Sequence, residues 1–223
     1  MSVPLVLDIE TVPLESALSA PYPEQDRNPP ANYKSEEAIA RWREADRARW
    51  ETERAKECSL NPRLGRILCI GTTEGLWYAE TPEEELDVLQ NVWARLTVSK
   101  GRVVTWNGSW DLRFILLRSM HLGLEPPVPG DTIAAWFQKY RYAPHFDCKA
   151  ALMNWEVRAA EGLGDWARFL GVEGKMDGLS GADVYPLFLA GHHDEIREYC
   201  AQDVRATQAI YRRIVPLFTN TPF

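Results

Sequence analysis

Hydrophobic and polar positions follow two periods along this chain, and the places where one gives way to the other mark out its elements. Val3-Pro4-Leu5-Val6-Leu7 is a short apolar run leading directly into Asp8-Ile9-Glu10-Thr11. It predicts a buried first strand, with Pro4 tolerated at its beginning. Residues 15–35 are rich in proline, serine and asparagine and read as a loop. From Ser35 to Cys58 the composition turns to alternating Glu, Arg, Ala and Trp. This stretch predicts an inserted, largely solvated helix, capped by Ser35 and supported by Glu37 and Arg41 at i,i+4. Ile39, Trp42 and Trp50 are its apolar positions for packing onto the body.

Beyond the turn Asn61–Gly65, strands Arg66–Gly71 and Leu76–Ala79 are joined by Thr73-Glu74-Gly75 and predict a hairpin. Thr81-Pro82-Glu83-Glu84 opens a helix with a capping box and proline at its first position. Leu86, Leu89, Val92, Trp93 and Leu96 then recur at helical spacing. Arg102–Trp106 is the next strand and Trp110–Leu122 the next helix. Helices are predicted over Thr132–Tyr140, Asp147–Trp155, Leu163–Leu170, Ala182–Leu189 and about His193–Pro216. This order predicts an α/β fold in which a mixed sheet is covered by helices. A length of 223 residues suits one domain, 1–223, with 15–58 as a loop-helix insertion after the first strand.

Composition narrows the function less than the fold. The net charge of −7 argues against a protein that coats nucleic acid by bulk electrostatics. It leaves room for an enzyme that gathers carboxylates around divalent metals and keeps its basic residues for a local groove. Cys58, Cys69, Cys148 and Cys200 are far apart, with no Cys-x-x-Cys pair, and read as reduced, mostly buried thiols. No charged-then-apolar leader and no bilayer-length apolar run are seen, so a soluble, cytoplasmic protein is expected.

Three groups of residues carry candidate chemistry. Asp8 and Glu10 stand two apart on a strand, on one face, with Cα atoms roughly 6–7 Å apart. Two carboxylates facing a helix-covered sheet are costly unless a cation lies between them; two exposed acids at a strand end would read the same way. Asn107-Gly108-Ser109-Trp110-Asp111 follows a strand, the glycine permitting a tight strand-to-helix turn. Asp111 then falls in the first helical turn, where the macrodipole favours an acid in any case. Tyr199 and Asp203 share one face of the last helix at i,i+4.

As an ordered set, these groups resemble the DEDDy class of 3′-5′ exonucleases, and most of all stand-alone exonucleases similar to the proofreading domain of family-B DNA polymerases. The family pattern has three residues where two separate Gly108 from Asp111 here. The resemblance extends over nearly the whole chain, through 62–71, His145-Phe146-Asp147, Gly171–Lys175, 181–184 and 195–200. Residues 15–58 fit it least. It implies a ribonuclease H-like fold with a sheet of about five strands and two divalent metal ions, Mg²⁺ or Mn²⁺. Asp8 would bridge both ions, Glu10 and Asp203 would hold the one that activates water, and Asp111 would support the other. Tyr199 would orient the attacking water. Position 198 is Glu198, where the related DEDDh class has histidine.

Trp106, Asn107, Trp110 and Arg113 flank the second motif and are candidates for stacking the terminal base or holding a phosphate. For Trp110, plain packing is an equal alternative. Lys139-Tyr140-Arg141 reads as an exposed helix end, with contact to the nucleic-acid strand as the alternative, and Asp131 and Asp183 read as helix starts. His145 and Asp147 match the family motif without a chemical role that the sequence reveals. The expected substrate is single-stranded nucleic acid, DNA over RNA, with a replication or repair partner supplied in trans. An exoribonuclease, an endonuclease and a non-catalytic interaction module on the same fold are the rival readings.

Overall fold

Strand β1 (Leu5–Pro13) is apolar enough to be covered on both sides, and it runs through the middle of the sheet. The structure, a computed structural model, describes residues 4–156, 161–173 and 179–218; Val3 and residues 174 and 175 of the Gly171–Lys175 turn lie outside them. After β1 come a short helix α1 (Glu15–Leu18), a 3₁₀ turn at Glu24–Asp26 and the long helix α2 (Glu36–Ser59). Strands β2 (Gly65–Thr72) and β3 (Gly75–Tyr78) form the expected hairpin, followed by α3 (Glu85–Val98), β4 (Val103–Thr105) and α4 (Gly108–His121). Helix α5 (Gly130–Trp136), strand β5 (His145–Asp147) and helices α6 (Cys148–Leu152), α7 (Leu163–Leu170), α8 (Val184–Leu189) and α9 (His193–Phe218) complete the order.

The sheet is mixed and five-stranded, in the order β3-β2-β1-β4-β5. β1 is antiparallel to β2 and parallel to β4, and β4 is parallel to β5. One apolar cluster lies between the sheet and α3 and α4, built on Leu7, Leu89, Trp93 and Ile115. A second lies beneath α9, built on Val104, Phe146, Ala206 and Ile210. Helices therefore cover both faces, which accounts for the near-continuous burial of β1 and β2.

Local chemistry accounts for the helix boundaries. Ser35 caps α2 by accepting the Ala38 N–H, and Glu37 pairs with Arg41 at 3.3 Å. Thr81 and Glu84 form the capping box ahead of α3. Four helices differ from expectation, α8 by starting at Val184 and not at Ala182. α5 stops at Trp136, whose buried ring stacks on Trp93 and whose indole N–H donates to the Gly101 carbonyl. Tyr140 beyond it has φ 63°, so the expected helical run to Tyr140 does not form. α6 ends at Leu152, with Asn154 and Trp155 at positive φ. α4 begins at Gly108, two residues before Trp110.

Two features that position α4 and α9 were absent from the sequence reading. Glu85 and Arg118 form an ion pair at 2.6 Å between α3 and α4, with the two side chains at most 3% exposed. Glu85 also accepts the Ile67 N–H of β2 at 2.8 Å, so its carboxylate is satisfied by three donors. On the other face, a Cβ at Gly71 would lie 2.9 Å from Cys200 Sγ and 3.0 Å from Val204 Cγ2. The missing side chain lets α9 settle directly on β2 beside the residue paired with Asp8.

Candidate active site

The β1–β2 register sets Asp8 opposite Gly71 and Glu10 opposite Cys69, with an irregularity between Glu10 and Thr11. Alternation along β1 turns Asp8 and Glu10 to the same face. That is the face on which α9 lies close against Gly71, so Tyr199, Cys200 and Asp203 come down beside them. Asp8, Glu10, Asp111, Tyr199 and Asp203 all line one cleft of about 1250 Å³. Asp8 is half-buried, and none of the other four is more than 7% exposed.

Carboxylate oxygens of Asp8 and Glu10 and the Cys200 sulfur lie within 4.8 Å of one another. Asp111 and Asp203 are not part of this tight group. Cys200 Sγ sits 3.8 Å from the Asp8 carbonyl oxygen and 4.0 Å from Asp8 Oδ2. Hydrogen bonding with Cys69, burial and the nearby Asp8 and Glu10 push the Cys200 thiol far above its usual pKa. Without metal the protonated, weakly donating thiol is favoured, and the carboxylate oxygens of Asp8 and Glu10 beside it suit a hard dication. All four cysteines are free and buried.

Tyr199 reports the local field. Burial, followed by the charges of Asp203, Glu10 and Asp8 and a hydrogen bond with Asp203, pushes its phenol far above the ordinary tyrosine range. Its hydroxyl is therefore fixed in the protonated form, in range of three carboxylates. Burial also raises the Asp111 carboxyl well above the usual range, with a further push from Asp147. Hydrogen bonds from its own N–H and from the Ile9 N–H of β1 oppose that shift and aim the carboxylate at β1.

The turn that delivers Asp111 is built differently from the sequence expectation. Asn107, not the glycine, takes the left-handed conformation, at φ 64° and ψ 35°. Asparagine is one of the few side chains that adopts it readily. Gly108 is needed for proximity: a Cβ there would lie 1.9 Å from Thr105 Oγ1 and 2.7 Å from His145 Nε2. Those two atoms are 2.8 Å apart, and His145 Nδ1 donates to the Trp136 carbonyl at 2.9 Å. Burial lowers the His145 pKa, so the neutral ring is favoured, donating through Nδ1 and accepting the Thr105 hydroxyl through Nε2. Asp147 Oδ1 accepts the Asn107 N–H at 3.2 Å and the Ala150 N–H at 3.0 Å. The His145-Phe146-Asp147 strand thus holds the turn that carries Asp111; three residues are too short for a strand period to show in sequence.

Trp106, Asn107 and Trp110 also line the cleft. Trp110 is half-buried, donates its indole N–H to the Leu60 carbonyl and packs its ring 5.3 Å from Phe114. Arg113 is exposed on α4 and is not among the described residues lining the cleft. The sequence reading passed over Lys149, from the start of α6, and the cleft-facing side of α2.

Residues 70–220 match the family described as predicted 3′-5′ exonucleases related to the exonuclease domain of PolB. The chain belongs to that family. The match contains Asp111, Tyr199 and Asp203 and begins after Asp8 and Glu10, which join them only through the fold. The five-stranded mixed sheet covered by helices is consistent with a ribonuclease H-like exonuclease fold. Membership supports a nuclease role acting on nucleic acid, and the acidic group offers a place for divalent metal. No curated protein matches the chain. Among the described residues, no helix is long and apolar enough to cross a membrane.

Proposed function

We propose that the chain is one catalytic domain, 1–223, that hydrolyses the terminal phosphodiester at the 3′ end of single-stranded nucleic acid and releases nucleoside 5′-monophosphates. The observation that carries this reading is the convergence of Asp8, Glu10, Asp111, Asp203 and Tyr199, from three separate elements, on one cleft. Two Mg²⁺ or Mn²⁺ ions fit the donor set, because the carboxylates extend beyond the tight Asp8–Glu10 group. Asp8, Glu10 and Asp203 would hold one ion, and Asp8 and Asp111 the other. Such ions lower the pKa of the attacking water and neutralise charge on the leaving oxygen.

The protein's own groups do the rest. The Tyr199 hydroxyl hydrogen-bonds with Asp203 and stays protonated, because burial is the largest cause of its raised pKa and outlasts any neutralisation of the acids. As a protonated hydroxyl it serves to orient the water. Asp111 is aimed by the Ile9 N–H and by the Asn107–Gly108 turn. Trp106, Asn107 and Trp110 line the cleft beside Asp111, where the two indole rings are placed to stack the terminal base. The family's kinship with PolB supports DNA over RNA as substrate.

Purified protein with 5′-labelled single-stranded DNA and RNA and either Mg²⁺ or Mn²⁺ tests this reading. A descending ladder, faster on DNA, is expected. One internal cut would make the enzyme an endonuclease, a ladder only on RNA would make it an exoribonuclease, and no cleavage would leave an interaction module.

A further inference from the structure

Nearly half of the cleft is walled by residues 18–60, outside the stretch that matches the family. Along α2 the cleft-facing residues include Ala48, Glu51, Thr52, Ala55 and Ser59, a helical repeat that gives the helix one inward face. Arg47, Trp50 and Lys56 extend that face, and Tyr22 continues it from the preceding segment. From residue 47 to 60 the wall runs roughly 20 Å at 1.5 Å per residue. That is about six stacked nucleotides at ~3.4 Å each. The cleft's 1250 Å³ also exceeds the ~300–1,000 Å³ usual for a small-molecule site, so it is larger than one terminal nucleotide needs.

The wall is braced. At its root, Thr11 donates to the Ser59 carbonyl at 2.7 Å and Trp110 to the Leu60 carbonyl at 3.3 Å. Arg54 donates to the Ala17 carbonyl at 3.1 Å. At mid-helix, Asp46 is 5% exposed and receives both the Tyr22 hydroxyl and the Arg27 guanidinium. This clasp fastens the 19–35 segment to α2 and sets Tyr22 edge-on to Trp50 at 5.6 Å, with Arg47 5.1 Å from the Tyr22 ring centroid.

Its charge is the reverse of the chain's. The chain carries −7, yet Arg47, Arg54 and Lys56 face the cleft from α2 against one acid, Glu51. Arg47 and Lys56, with Lys149 across the cleft, pair with no carboxylate among the described residues. Cations interleaved with aromatic rings, leading to an acidic centre, suit an unpaired polynucleotide: phosphates on the cations and bases on the rings.

We infer that the 15–58 insertion is a strand-binding arm, whose Tyr22–Arg47–Trp50–Lys56 face holds several unpaired nucleotides upstream of the scissile bond. This rests on the reading of the cleft as a nuclease site, but binding tests it independently of hydrolysis. Fluorescein-labelled oligothymidylates of 2, 4, 8 and 12 nucleotides are titrated with the protein in Ca²⁺ and followed by anisotropy. Affinity of wild type should rise at least tenfold between 2 and 8 nucleotides and then level off. Arg47→Glu/Lys56→Glu, both at exposed positions, should abolish that rise and lower the salt slope by about 1.4, at ~0.7 per lost phosphate contact. Trp50→Ala should weaken 8-mer binding about 5- to 150-fold, the range of one lost base stack.

Arg41→Glu/Arg49→Glu makes the same charge change off the cleft face and should leave binding intact. Equal weakening by this pair, a length gain that persists in Arg47→Glu/Lys56→Glu, or no binding by wild type would each overturn the inference. Arm-dependent binding without trimming in Mg²⁺ or Mn²⁺ would remove the nuclease reading and leave the arm standing.

Discussion

A methyl group at Gly108 probes the device that delivers Asp111. In Gly108→Ala the new Cβ would start 1.9 Å from Thr105 Oγ1, 2.5 Å from Thr105 Cβ and 2.7 Å from His145 Nε2. Ordinary carbon contacts lie near ~3.5–4.0 Å, so these neighbours must retreat by more than about 1 Å. Neither is free to do so: Thr105 is a buried β-branched residue in β4, and both His145 ring nitrogens are hydrogen-bonded. Overpacking of this kind costs about 1–3 kcal/mol, and losing the Thr105–His145 bond adds about 1 kcal/mol. The better helix propensity of alanine returns up to ~1 kcal/mol. A net loss of about 1–4 kcal/mol lowers Tm by roughly 2–16 °C in a domain of this size. Because the turn also aims Asp111, the rate at 25 °C, where the variant stays folded, should fall at least about tenfold. Gly130→Ala, also at a helix start but with nothing within 4 Å of the new Cβ, should melt with wild type. Wild-type Tm and rate in Gly108→Ala would refute this account of the turn.

Three further perturbations separate chemistry from packing. Tyr199→Phe keeps the buried ring and deletes the hydroxyl near Asp203; turnover should fall about 10²–10⁴-fold with metal-dependent stabilisation retained, and near-normal turnover would remove the hydroxyl from the mechanism. Asp8→Asn relieves repulsion with Glu10, so in chelator it should melt at or above the wild-type temperature while nearly all activity is lost; Mg²⁺ should then raise the Tm of wild type more than that of the variant. Asp111 supplies a pH dependence. Its folded pKa is raised by burial first, so the folded metal-free protein binds that proton more tightly than the unfolded chain. In chelator, the stability deficit of wild type relative to Asp111→Asn should therefore shrink as pH falls from above the raised value toward the ordinary carboxylate pKa of ~3.9. A deficit in thermal unfolding that grew as pH fell would reverse the sign and exclude the assignment.

What could be read before the fold was known follows the range of each signal. β1, the hairpin, α3 and α9 declare themselves locally, through apolar patterns within each segment and, ahead of α3, the Thr81–Glu84 capping box. The i,i+4 spacing of Tyr199 and Asp203 needs only one helix to be legible. β5 has no such period, and its purpose lies in contacts from His145 and Asp147 to residues about 40 positions away. The same holds for Gly71, whose role depends on where α9 lands, and for Gly108, whose neighbours are Thr105 and His145. Helix α2 shows the limit most clearly. Its even mix of Glu and Arg reads as a solvated helix, and only the docking of its root beside β1 reveals which face looks into the cleft. Ile39 and Trp42 are half-buried, as expected of the apolar positions, but it is Trp50 that reaches the cleft.

The most direct test is a time course on a 5′-labelled single-stranded oligonucleotide with wild type and Asp8→Asn, in Mg²⁺ and in excess chelator. Wild type in Mg²⁺ should shorten the labelled strand one nucleotide at a time from its 3′ end. Neither wild type in chelator nor Asp8→Asn in Mg²⁺ should shorten it, although both remain folded by circular dichroism. Full trimming in chelator, or release of the label as a mononucleotide at the earliest time point, would contradict the account.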